Sequence, residues 1–414
     1  MQTRIIVTSA LALAIGAGVV AGVTIPNSGT SAPVALASIP SSSASPSNGA
    51  SSNSSNAANP SAAASTDAAS TDGVTTAAVH PGDIYPITKL AAGQKAPQFV
   101  VISFDGACKD ALWKHYLDLA KSTDSRFTFF LSGLCLLPDR QRFMYHPPHK
   151  AAGTSAIGFG DAKLIPGRIA NLTTAYNMGN EMGTHFLGHF CDAKGVATWS
   201  SADWQSEINQ ARNFLDNWKS INGNTDPNLK LPFSSKIWVG DRTPCLAGKR
   251  SQMYPVFDKE GFKYDASGTG NLSWPKRIPN HKTMWNFPLQ SIKVVGYGRN
   301  QQSMDYNFLY AQNKGKITAP QATCDRIQKS TYQSFMLALK TVHSSNRAPL
   351  FIGNHFNTWV CGAYKNALTS FVKDAHTTYP DIRFVTFEYL TRWLEAQTPS
   401  TLKHLQSLAP AKEA

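Results

Sequence analysis

The chain has 414 residues, 42% of them hydrophobic and 10% aromatic, and it carries 39 basic against 26 acidic side chains for a net charge of +13. These proportions exclude a wholly disordered chain, and 29 glycines and 24 prolines exclude a collagen-like one. Only one apolar run is long enough to cross a bilayer, which excludes a polytopic membrane protein. That run comes first. Residues 1–23 open with Arg4 and continue uncharged from Ile5 to Val23, in the order of an export signal. A cleaved signal and a retained anchor both stay open, and either puts the remainder outside the cytoplasm, with membrane contact only through this segment. Residues 24–85 are rich in Ser, Ala and Asn and hold no aromatic residue before Tyr85. They cannot bury enough surface to offset chain entropy and are expected to form a disordered linker.

A folded domain is expected over residues 86–400, followed by a short tail, 401–414. Phe99–Ser103 is an apolar run ending at Asp105 and Gly106. Residues 110–120 show helical spacing through Leu112, Tyr116 and Leu119, and Phe127–Leu131 reads as a second buried strand. Weaker strand runs follow at Lys236–Val239, Val294–Val295 and Pro349–Ile352. Ala363–His376 reads as a helix, Ile382–Thr386 as a strand and Phe387–Glu395 as an amphipathic helix. Strands alternating with helices predict an α/β fold with a parallel sheet or barrel. The positive excess lies beyond residue 88, since Arg4 is the only basic residue before Lys89. Such a surface attracts polyanions, and for an exported protein these would be anionic wall polymers or lipid headgroups. No five-residue basic run and no nucleic-acid motif occurs, so no nucleic-acid partner is expected.

Four sites along the chain can carry chemistry. Asp105 ends the first strand, where α/β folds build their sites, and a carboxylate there can act as general base or metal ligand. His185 and His189 are four residues apart, a spacing that lets two imidazoles face one cation. Arg242 precedes Thr243 and Pro244 and can orient a carboxylate or polarise an oxyanion. His355 follows the run Pro349–Ile352 and can serve as general acid.

Each signal is weak alone, but their order is not. Strand–Asp, then Gly-x-His-x-x-x-His, then Arg-x-Pro, then strand–His resembles the polysaccharide deacetylases, the family-four carbohydrate esterases with a NodB-type homology domain. The resemblance runs from about Gln98 to Trp393. It includes the spacing from Gly179 through Glu181 and Gly183 to His185 and His189, the run Thr128–Leu131, and the ending Arg383–Leu390. It implies a distorted (β/α) barrel with a groove over the strand ends. It also implies a divalent metal, zinc foremost, and removal of acetyl groups from an N-acetylated or O-acetylated cell-surface or cell-wall polysaccharide. His185 and His189 would be metal ligands, with Asp105 the base or a third ligand. Arg242 would hold Asp105, and His355 would protonate the leaving group.

The first motif departs from the family. The family reads Thr-Phe-Asp-Asp-Gly, with base and metal ligand in succession, and this chain reads Ser103, Phe104, Asp105, Gly106. One carboxylate is missing, and Asp110 is the nearest spare. The family's later Asp-rich segment is matched only loosely by Tyr264, Asp265 and Trp274. Residues 138–178 and 276–348 read as large insertions. Two alternatives therefore stand beside a secreted or surface-anchored deacetylase: a barrel that binds carbohydrate without hydrolysing it, and a basic surface-attachment protein.

Six cysteines allow fifteen complete pairings. Cys108 and Cys135 each follow a strand at what would be one end of a parallel sheet, and Cys191 and Cys245 each follow a site motif. This suggests Cys108–Cys135, Cys191–Cys245 and, by remainder, Cys324–Cys361, as disulfides of an oxidising compartment.

Overall fold

The computed structural model describes residues 82–413. The apolar segment 1–23 and nearly all of the linker 24–85 lie outside the described residues. No helix of the described residues is long and apolar enough to cross a membrane.

The strands are β1 (Gln98–Gly106), β2 (Thr128–Leu131), β3 (Glu181–Thr184), β4 (Gly240–Asp241), β5 (Tyr264–Asp265), β6 (Thr269–Gly270), β7 (Lys276–Ile278), β8 (His281–Asn286), β9 (Leu289–Val294), β10 (Arg299–Gln302), β11 (Leu350–His355) and β12 (Ile382–Phe384). The helices are α1 (Asp110–Ser122), α2 (Ile165–Asn177), α3 (Ser201–Asp216), α4 (Trp218–Ile221), α5 (Arg250–Lys259), α6 (Asp305–Asn313), α7 (Gln321–Ser344), α8 (Trp359–Thr378), α9 (Phe387–Ala396) and α10 (Pro399–Ser407). A curled nine-stranded sheet runs β11-β1-β2-β3-β4-β5-β8-β7, with β12 also paired to β1. Every pairing from β11 to β8 is parallel, and only β7 pairs antiparallel.

The apolar runs explain the centre of this sheet. Phe99, Val100, Val101, Ile102 and Phe104 of β1 have no exposed surface. A strand covered on both faces reads as continuous rather than alternating hydrophobicity. Burying each such side chain contributes about 1.5–3 kcal/mol.

The barrel is distorted where β9 meets β11. Here β9 belongs to a separate three-stranded sheet, β10-β9-β6. The seam is closed by side chains instead of a ladder. Gln290 donates from Nε2 to the Pro349 carbonyl at 2.8 Å and accepts from the Phe351 amide at 2.9 Å. Ser303 donates to the Phe351 carbonyl at 2.6 Å.

Two expectations change. The run Lys236–Val239 is not a strand: Ser235–Ile237 is a 3₁₀ turn, with the Ser234 hydroxyl accepting from the Lys236 amide. The strand follows it as β4. A Cβ on Gly240 would lie 2.2 Å from the Tyr264 ring, so only glycine fits. The segment 276–348 is integral to the fold, supplying β7 to β10, α6 and the 24-residue α7.

Both ends of the domain dock onto it. Asp83 pairs with Arg392 at 2.6 Å. At the other end α10 crosses residue 400, the Ala411 amide donates to the Leu272 carbonyl at 2.9 Å, and Glu413 accepts from the Lys293 amide.

Candidate active site

Parallel register brings the sequence-predicted residues to one end of the sheet. Asp105 lies opposite His355 in the β1–β11 ladder. His185 directly follows β3, and Arg242 directly follows β4. Asp105, His185, His189 and His355 line one cavity of about 600 Å³. Arg242 is fully buried beside them.

Arg242 is the hub. Its Nη1 donates to Asp105 Oδ1 and to Ser103 Oγ, each at 2.8 Å, and its Nε donates to the Ala266 carbonyl at 3.0 Å. The guanidinium sits 4.8 Å over the Phe130 ring. That ring is held close to β3 because Gly183 has no side chain; a Cβ there would approach it to 2.7 Å. Burial pushes the Asp105 carboxyl upward, but Arg242, then His185 and His355, outweigh it and hold the pKa below its ordinary value. Asp105 is therefore an ionised carboxylate, largely buried at the floor of the cavity.

The structure also settles where the spare carboxylates go. Asp110 faces Arg168, accepting at 2.7 and 3.1 Å. Asp265 takes the Tyr254 hydroxyl and the Ser267 amide and makes no hydrogen bond to Arg242. Neither supplies the missing motif-one aspartate.

The two histidines suit a cation. His185 Nδ1 lies 2.7 Å from the Arg242 carbonyl, which can only accept, so Nδ1 carries the proton and Nε2 a lone pair. That Nε2 is buried and has no protein hydrogen-bond partner. A buried imidazole nitrogen left open while its other nitrogen is fixed by a carbonyl is the arrangement of a metal-ligating histidine. The His189 ring centroid is 5.0 Å away. Burial lowers the pKa of both, with the neighbouring His185 adding to the effect at His189, which falls to about 3. Both are neutral and able to ligate. His189 also lies within 4.8 Å of the Cys191 and Cys245 sulfurs. Those sulfurs are joined to each other, so no thiolate is present to bind a metal.

His355 is supported by a residue that the sequence did not reveal. Asp305, the first residue of α6, accepts from His355 Nδ1 at 2.7 Å and from the His355 amide at 2.8 Å. Asn357 donates to the same carboxylate at 2.6 Å. Burial lowers the His355 pKa, but Asp305 and, more weakly, Asp105 outweigh this and raise it above the ordinary histidine value. The side chain is 27% exposed, so it is open to the cavity.

The three disulfides are those expected, two from the placement of their cysteines after strands and site motifs and the third by remainder. Cys108–Cys135 joins the segments after β1 and β2, and Cys191–Cys245 those after β3 and β4; both frame the cavity. Cys324–Cys361 ties α7 to α8. With 27 to 54 residues between partners, each contributes about 3–4 kcal/mol by constraining the unfolded chain. The segment 138–178 reaches the cavity with Ile157 and Phe159, and the segment 276–348 reaches it with Met304, Tyr306 and Asn307.

A curled parallel α/β sheet thus brings an aspartate, an arginine and three histidines together at one end of its strands. No family model matches the chain. It is 21% identical over 363 residues to chitin deacetylase 1 of Bombyx mori, covering 81% of this chain and 56% of that protein. It thus spans little more than half of that relative's length. Similar solved structures include a Mycobacterium smegmatis protein described as a polysaccharide deacetylase (10% identity, 79% of this chain and 97% of that one, TM-score 0.43). They also include a CE4-family pseudoenzyme of Bacillus anthracis (8%, 73% and 66%, TM-score 0.38) and the peptidoglycan deacetylase PdaC of Bacillus subtilis (13%, 75% and 96%, TM-score 0.36). In motif order and in this sequence match the chain resembles the polysaccharide deacetylases, with a divergent first motif.

Proposed function

We propose that this protein removes acetyl groups from an N-acetylated or O-acetylated polysaccharide outside the cytoplasm. One observation carries the reading: an Arg242-held carboxylate, two buried histidines of which His185 keeps an open nitrogen, and an Asp305-supported histidine converge on one cavity. His185 and His189 would hold a divalent cation, zinc foremost, which when bound supplies Lewis-acid activation of water and of the acetyl carbonyl. Asp105 takes the proton of the attacking water. Arg242 keeps that carboxylate ionised and fixes its direction. His355, with Nδ1 committed to Asp305, delivers a proton from Nε2 to the leaving amine or alcohol as the bond to the acyl carbon breaks. Three disulfides support an oxidising, extracytoplasmic setting.

The test is acetate release from acetylated chito-oligosaccharides and acetylated xylan. Asp105→Asn is expected to lower the rate by about 10²–10⁴, with an unchanged circular dichroism spectrum. A variant as active as wild type removes Asp105 from the chemistry. Gly106, where the family places a second aspartate, favours one other reading, a barrel that binds glycan without hydrolysing it. Glycan binding with no acetate release would select it.

Asp305→Asn provides a pH test. His355 must be protonated to act as acid, so the rate falls as pH rises through its raised pKa. Removing the Asp305 charge lowers that pKa and shifts the alkaline limb of the rate profile to lower pH. An unshifted limb would show that His355 is not the acid.

A further inference from the structure

His185 and His189 are separated by Phe186, Leu187 and Gly188, and this loop has an unfavourable backbone. Phe186 and His189 both lie in the left-handed region, at φ 58° and 54°. Each costs about 1–2 kcal/mol for a residue with a side chain. Something must hold the loop in this shape.

The strongest hold comes from Glu207 on α3. Its Oε1 accepts from the amides of Leu187 and Gly188, at 3.1 and 3.2 Å. Both of its oxygens also accept from the Tyr145 hydroxyl, at 3.0 Å. Tyr145 comes from the insertion 138–178, and the same insertion donates the Ala156 amide to the Gly188 carbonyl at 2.9 Å. Glu207 is fully buried and makes no salt bridge among the described residues. A carboxylate placed there costs several kcal/mol of desolvation unless hydrogen bonds offset it. Its partners are the two amides between the histidines and one hydroxyl, and it takes no part in the chemistry proposed above.

We propose that Glu207 is a positioning residue that fixes the histidine loop and thereby sets the cation affinity of a site with only two protein ligands. This rests on the reading that His185 and His189 hold a divalent metal. A site short of one ligand gains the more from having the others held in place before binding, because less ordering entropy remains to be lost.

Zinc affinity of the full-length chain, measured by competition with a chromophoric chelator, tests this. Glu207→Ala is expected to weaken binding by about 10–100-fold, the range for residues that orient metal ligands. Glu207→Gln keeps an oxygen for the two amides and is expected to retain most of the affinity. Glu207→Asp keeps a carboxyl group but withdraws it from the amides, and is expected to lose about as much as alanine; it carries the test if the alanine variant does not fold. Amide hydrogen exchange across residues 184–190 should quicken in the alanine and aspartate variants and not in the glutamine one. Wild-type protein that takes up no zinc overturns the underlying reading together with this proposal. Wild-type binding zinc, with folded alanine or aspartate variants binding it equally well, overturns this proposal alone. Loss of affinity in Glu207→Gln as large as in Glu207→Ala overturns it too, since an oxygen held at the two amides would then not be what sets the affinity.

Discussion

Arg242→Met is expected to lower the unfolding free energy by about 3–5 kcal/mol, the cost of removing one partner from a buried ion pair. The guanidinium has no exposed surface, and Asp105 has only 5%. Methionine fills much of the volume over Phe130 but leaves the Asp105 carboxylate in the interior without its cation. Arg242→Lys is not expected to rescue, because a single ammonium cannot reach Asp105, Ser103 and the Ala266 carbonyl in the directions that the planar guanidinium does. The pH dependence follows from the lowered pKa of Asp105. A carboxyl whose folded pKa lies below its unfolded one stabilises above the unfolded value and loses that contribution as pH falls through the folded one. The gap between wild type and Arg242→Met should therefore be full at neutral pH and shrink in acid. Urea melts across pH measure it. A gap of less than 1 kcal/mol at neutral pH contradicts the assignment of Arg242 as the partner that keeps Asp105 charged.

Gly106→Asp is expected to raise zinc affinity by at least about tenfold, toward the three-ligand set usual for catalytic zinc. Two features of the backbone allow it. A Cβ at Gly106 would meet only Ser132 Oγ, at 4.0 Å, so there is room for a side chain. The residue lies at φ +78°, which costs an ordinary residue about 1–2 kcal/mol but which aspartate tolerates better than most. The variant should thus be slightly less stable and bind metal more tightly, two effects that calorimetry and chelator competition separate. Acetate release should rise with metal occupancy. Unchanged affinity in a folded variant would mean that Gly106 does not mark the position of a lost ligand.

The parts of this structure that the sequence made legible are those with local causes. β1, β2, β11 and α9 announce themselves because a buried parallel strand is a continuous apolar run and a helix lying on a core has apolar spacing. Asp105 and His355 were visible because each ends such a strand. Two of the disulfides were legible for a related reason, that strand ends on one side of a parallel sheet are neighbours, and the third followed by remainder. What was hidden depends on distant partners. Asp305 lies 50 residues from His355 and looks like any acidic residue in the first turn of a helix. Glu207 sits in α3 among other polar residues, and only the fold shows that it reaches back to the histidine loop. β4 was misplaced because Ile237, Trp238 and Val239 are apolar enough for a strand, whereas the ladder begins only where Gly240 lets Tyr264 pass. The division of labour left open by the missing aspartate also needed coordinates. Arg242 bonds to Asp105, which supports the proposal that Asp105 is the base, and Gly106 offers no carboxylate at the next position.

The central claim is that His185 and His189 hold a metal despite that loss. Metal content of the full-length chain, purified without chelator alongside His185→Ala, tests it most directly. The wild type is expected to hold about one equivalent of zinc and the variant none. No metal in the wild type, even after incubation with zinc, cobalt or nickel, would contradict it and leave the glycan-binding barrel as the reading to pursue.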